Sequence, residues 1–98
     1  SPIEAANREL QEEVGYAANQ LHDIHTVGMA PTFFNSKMNI VIAKDLYPQR
    51  LEGDEPEPLE VIPWSFSDAD ALLTRPDFIE ARGIAALFLA QRWLKENN

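Results

Sequence analysis

The sequence predicts an α/β protein, and three stretches predict it. Ser1 to Val14 carries apolar residues at helical spacing. Lys37 to Ala43 is an apolar run of strand length. Asp77 to Lys95 carries a second, longer helical pattern. The whole chain, 98 residues at 45% hydrophobic content, is the size of one small domain, and residues 1–98 read as part of a single one.

The first helix has a start signal. Ser1-Pro2-Ile3-Glu4 reads as a capping box, with Ser1 as N-cap, Pro2 at the first helical position and Glu4 three residues on. Ile3, Ala6, Leu10 and Val14 form the apolar stripe, and Gly15 is a natural residue to end the helix. Residues 21–27 fit a strand with imperfect alternation. Gly28 to Ser36 reads as a loop with Pro31 and Phe33-Phe34. Lys37 to Ala43 is the strongest strand, apolar enough to be central and buried on both faces.

Asp45 to Pro58 reads as an irregular acidic loop, because Pro56 and Pro58 forbid a helix. By composition it is a solvated surface loop. Glu60 to Trp64 reads as a short strand at an edge, since Pro63 has no N–H to donate. Ser67 is expected to cap a short helix through Thr74. Asp77 is expected to cap the last helix, with Phe78, Ala81, Ala85, Phe88, Leu89 and Trp93 on its apolar face and Gly83 as a weak point.

Composition removes several function classes. The net charge is −8, from 16 Asp and Glu against 8 Lys and Arg, the wrong sign for gripping nucleic-acid phosphates. There is no cysteine, so no disulfide, thiolate metal site or thiol nucleophile. No apolar run is long enough to span a bilayer. These features point to a cytoplasmic protein with no membrane or nucleic-acid partner.

Chemistry concentrates in Arg8-Glu9-Leu10-Gln11-Glu12-Glu13-Val14-Gly15-Tyr16. Like charges three and four residues apart on a helix repel. The arrangement gains from a shared cation, and oxygen-only ligands suit Mg²⁺ or Mn²⁺. Glu9, Glu12 and Glu13 are the candidate ligands, and Arg8 can fix a carboxylate rotamer. By spacing alone, a solvated charged helix face accounts for them as well. His22 and His25, three apart on a strand, make poor ligands for one metal. Trp64 and Trp93 read as core.

The nine-residue string resembles the second half of the Nudix box, G-x5-E-x7-R-E-U-x-E-E-x-G-U, where U is a bulky aliphatic residue. Eight of the nine positions fit, and Tyr16 departs by being aromatic. The blocks Met29-Ala30-Pro31, Ser36 to Val41, Asp45 to Pro48 and Leu51 to Leu59 look like the bacterial ADP compounds hydrolase branch, which is similar to ADP-ribose pyrophosphatases. The resemblance implies an α/β/α sandwich with a mixed sheet. It implies hydrolysis of ADP-ribose, NADH or diadenosine oligophosphates to AMP, with Mg²⁺ or Mn²⁺ held by Glu9, Glu12 and Glu13 and an orienting role for Arg8.

It also implies a loop glutamate acting as base on the attacking water. Glu55 and Glu57 both lie in that region, and Glu57 is nearer the following strand. Phe33 and Phe34 are candidates for stacking on adenine and equally for core packing. Ser36 and Lys37 are candidates for a phosphate contact, against a plain turn and strand start. The box register puts its earlier glutamate just before Ser1. The expectation is therefore a C-terminal part of a longer protein whose N-terminal strands are missing here. Its expected partners are a small nucleotide substrate and either a second copy or the N-terminal part. The competing expectation is an inert fragment or a nucleotide-binding module.

Overall fold

The computed structural model describes residues 1–28, 37–52 and 60–97. The chain forms two compact units, Ser1–Val61 and Ile62–Asn98.

The first unit opens with α1 (Pro2–Glu13). Ser1 caps it as the sequence predicts: its hydroxyl oxygen accepts from the Glu4 N–H at 3.2 Å, satisfying one of the donors a helix start leaves over. Ile3, Ala6, Leu10 and Val14 are all half-buried on one stripe. The helix stops at Val14, and Gly15 turns the chain with φ of +81°. The Val14 and Gly15 N–H groups both donate to the Leu10 carbonyl, at 2.9 and 3.1 Å.

Two long strands follow, β1 (Tyr16–Gly28) and β2 (Lys37–Pro48), paired antiparallel from Tyr16 opposite Pro48 to Gly28 opposite Lys37. Both outrun the sequence reading. β1 starts five residues before Leu21, and β2 continues through Asp45–Pro48, which the acidic composition had assigned to loop. Asp45 accommodates this with a positive φ of 57°, a conformation aspartate tolerates better than most residues, and its carboxylate accepts from Asn19 Nδ2 at 3.1 Å. A register shift between Asp23 and His25 marks a bulge, so strict alternation fails between His22 and His25. Asn39 spans that region, donating from Nδ2 to both Asp23 carboxylate oxygens and to Thr26 Oγ1.

α1 packs on this ribbon. Among the described residues of this unit the buried apolar ones are Ala17 and Ala18, at the start of β1, and Ile40, opposite His25, with Gln11 the buried polar one. The two alanines give the helix room to lie close. β2 is not buried on both faces: among the described residues its one neighbour is β1, and only Ile40 is fully buried.

The second unit is helical. The expected strand at Glu60 to Trp64 does not form, and that stretch has no ladder partner among the described residues. The short 3₁₀ turn Phe66–Asp68 leads into α2 (Ala69–Leu73), with Ser65 rather than Ser67 as cap: Ser65 Oγ accepts from the Ser67 N–H at 3.3 Å. Trp64 Nε1 donates to the Asp68 carbonyl at 2.8 Å, and the Arg75 guanidinium lies 5.6 Å from the Trp64 ring centre, a cation–π distance.

Arg75 also takes both Asp77 oxygens, at 2.9 and 2.8 Å, which removes Asp77 as a cap. The last helix, α3 (Ala81–Glu96), therefore starts later than the sequence predicts and is capped by Glu80, whose Oε2 accepts from the Gly83 N–H at 3.0 Å. No helix among the described residues is long and apolar enough to cross a membrane.

Candidate metal-binding helix and its groove

The last two turns of α1 carry the candidate carboxylates on a rigid, capped element. Arg8 Nε lies 3.3 Å from Glu12 Oε1, one turn on. With Arg8 75% exposed this pair adds little stability, and arginine before glutamate is the weaker order on a helix. Its consequence is geometric: Glu12 is held against Arg8 on one side of the helix.

Glu9 and Glu13, four residues apart, face elsewhere. They line a groove of about 610 Å³ between α1 and the start of β2. Leu10 and Val14 give it an apolar side, and Lys37 and Asn39 come from β2. Lys37 thus lines the same groove as two helix glutamates, residue types suited to a phosphorylated ligand bridged by a cation.

The residues fit a hard divalent cation of limited demand. Among the described residues no three acidic or histidine side chains converge tightly enough to enclose a metal. Mg²⁺ does not require that. It commonly takes one or two carboxylates and fills the remaining positions with water and substrate phosphate oxygens. Glu9 and Glu13, two carboxylate-bearing residues lining one open groove, fit that requirement.

Of the residues singled out by sequence, Glu9, Glu13 and Lys37 come together. Glu12 and Arg8 pair with each other and do not line the groove. Phe33, Phe34, Ser36, Glu55 and Glu57 lie outside the described residues. Sequence reasoning missed Arg50, whose Nη1 donates to the Glu12 carbonyl at 3.2 Å across a separation of 38 residues. No periodicity or motif spacing marks that arginine. It also missed Asn39, which reads in sequence as an ordinary strand residue.

Two carboxylates outside the groove are held below their ordinary values. Asp77 is lowered chiefly by its hydrogen bonds to Arg75, and Glu80 by its hydrogen bond to Arg82 and then by the Gly83 N–H.

No family model matches the chain. Over 95 residues, 97% of its length, it is 58% identical to the ADP compounds hydrolase NudE of Escherichia coli (strain K12), covering 51% of that protein. A crystal structure of ADP compounds hydrolase matches all of the chain with a TM-score of 0.94 and 56% identity, over 53% of the solved chain. The chain spans about half the length of these relatives. In sequence and in fold alike it is similar to about half of an ADP compounds hydrolase.

Proposed function

We propose that this chain supplies the metal-binding helix of a Nudix-type pyrophosphatase that cleaves ADP-linked compounds to AMP. The observation that carries the reading is the groove that joins Glu9 and Glu13 of the box helix to Lys37. The 58% identity to a protein named for hydrolysing ADP compounds gives it a substrate class. Within that class ADP-ribose, NADH and diadenosine oligophosphates all present a diphosphate or longer phosphate chain attached to adenosine.

Glu9 and Glu13 hold a Mg²⁺ or Mn²⁺ ion, and Glu12 joins them or stays with Arg8, which orients it. When bound, the ion neutralises phosphate oxygens and lowers the pKa of coordinated water. Lys37, with Ser36 beside it, steadies the phosphates. Phe33 and Phe34 stack on the adenine. Glu57 or Glu55 takes a proton from the attacking water, directly or through a second water. Water oxygen bonds to one phosphorus, and the bridging oxygen leaves with the other phosphorylated half. Holding these groups in line accounts for much of the acceleration. We place the protein in the cytoplasm, acting on a small nucleotide, with a second copy or the remaining half of such an enzyme completing the site.

The test uses the full-length gene product and a panel of ADP-ribose, NADH and diadenosine oligophosphates, with AMP release as readout. Release is expected with Mg²⁺ and is expected to vanish with EDTA. Glu13→Gln is expected to lower kcat by about 100-fold or more, as loss of transition-state charge stabilisation does, without lowering the melting temperature. Wild-type turnover in Glu13→Gln sinks the ligand assignment. Tight nucleotide binding without AMP release turns the reading into a binding module.

A further inference from the structure

The end of α1 is completed by the residues that follow β2, whose last residue, Pro48, lies opposite Tyr16 at the start of β1. A helix leaves its last carbonyls without internal partners. Directly after β2, the segment 49–51 brings donors to them. The Leu51 N–H donates to the Gln11 carbonyl at 3.2 Å, and the Gln49 N–H to the Gly15 carbonyl at 3.1 Å. Between these two backbone bonds, Arg50 Nη1 donates to the Glu12 carbonyl at 3.2 Å.

Arg50 also occupies the space beside Gly15. A β-carbon on Gly15 would fall 2.9 Å from Arg50 Nη2, 3.1 Å from Nε and 3.2 Å from Cζ. The guanidinium stands where any other side chain at position 15 would begin. The glycine that closes the box therefore has a steric reason besides its positive φ.

We propose that Arg50 is a positioning residue for the carboxylates of α1. The carbonyl it holds belongs to the peptide between Glu12 and Glu13. That peptide is planar, so fixing its oxygen fixes the Glu13 N–Cα bond, and the helical φ then sets where the Glu13 side chain leaves the backbone. The Leu51 bond does the same for the peptide between Gln11 and Glu12. Both planes flanking Glu12 are pinned in the last turn, where helices fray first. The guanidinium adds positive charge at the negative end of the helix dipole. Its effect on the metal runs through the backbone, because it donates to a main-chain oxygen.

The proposal rests on the reading of Glu9 and Glu13 as metal ligands, and its test is kept separate from turnover. The full-length gene product is compared as wild type, Arg50→Ala, Arg50→Lys and Arg92→Ala. The last removes an exposed arginine on α3 that pairs with Glu96. Mn²⁺ affinity is measured without substrate, by the electron paramagnetic resonance signal of the free ion, and thermal melting is recorded alongside. Arg50→Ala is expected to weaken Mn²⁺ binding about tenfold, the low end for residues that orient ligands. Arg50→Lys keeps the charge and N–H donors but loses the planar fork, and is expected to weaken it less than Arg50→Ala does. Arg92→Ala is expected to bind as wild type does.

A merely structural arginine lowers the melting temperature and the folded fraction but leaves the affinity of the folded protein unchanged, and that result overturns the proposal. Where Arg50→Ala fails to fold, Arg50→Lys decides: wild-type affinity there overturns it. Arginine-dependent Mn²⁺ binding without AMP release leaves the proposal standing while the pyrophosphatase reading falls. No Mn²⁺ binding by the wild type removes both.

Discussion

On α3, each carboxylate that bounds the helix has an arginine within a turn. Glu80 meets Arg82 at 2.7 Å and Glu96 meets Arg92 at 3.2 Å. On α1 three glutamates crowd the last two turns and a single helix arginine reaches only Glu12, while Glu9 makes no ion pair among the described residues. The two helices also end differently. α3 closes on its own residues, with the Asn97 N–H and Nδ2 both donating to the Trp93 carbonyl. α1 borrows two donors, the Leu51 N–H and Arg50 Nη1, and the Gln49 N–H holds Gly15 just beyond it. A helix whose charges serve stability matches them locally. On α1 that local matching is partial, and the end of the helix is held from elsewhere in the fold.

The strongest way to break this comparison is Gly15→Ala. The left-handed backbone at φ of +81° costs a β-carbon-bearing residue about 1–2 kcal/mol. The new methyl also pushes Arg50 off the Glu12 carbonyl. Urea denaturation of the full-length gene product is expected to show a loss of at least that size. A neutral outcome means that the end of α1 is not clamped as described.

What the sequence revealed followed the range of the interactions. Ser1 as cap, Gly15 as terminator and the strand from Lys37 were legible because each is decided by neighbours within a turn or by a short apolar run. Asp77 was misread as a cap because Arg75, two residues before it, binds both of its oxygens and leaves capping to Glu80. β2 outran its apolar run because Asp45 tolerates a positive φ and Asn19 holds its carboxylate from the opposite strand. The glutamates of the candidate site were legible as a string, but their division was not. Spacing alone does not say that Arg8 selects Glu12 while Glu9 and Glu13 turn to the groove, nor that a residue 38 positions away fixes the backbone beneath them.

A smaller effect sharpens the α3 side. Glu80 titrates below its ordinary range because Arg82 and the Gly83 N–H favour its charged form. A carboxyl whose folded pKa is depressed stabilises the fold at pH values above its unfolded pKa. That contribution is lost as pH falls through the depressed folded value. Glu80→Gln is therefore expected to melt below wild type at pH 7, with the gap closing below about pH 4. A gap that widens on acidification contradicts the capping role. Asp77, depressed by Arg75, has the same sign, so the two carboxylates lose their contributions together in acid.

The smallest effect sets the second helical glycine against the first. Gly83 lies in the first turn of α3 without the positive φ of Gly15, and a β-carbon there would meet the Phe78 ring at 3.8 and 3.9 Å, ordinary van der Waals contact. Its N–H remains free to bond Glu80 whatever side chain it carries. The sequence reading of Gly83 as a weak point thus survives, with a local cause and a local remedy. Gly83→Ala is expected to stabilise by about 0.5–1 kcal/mol, through lower backbone entropy in the unfolded chain and a methyl against Phe78. The midpoint of urea denaturation should rise in Gly83→Ala and fall in Gly15→Ala. Opposite signs for one chemical change follow only if the glycine of α1 is there for its backbone and for Arg50, while that of α3 answers to neither.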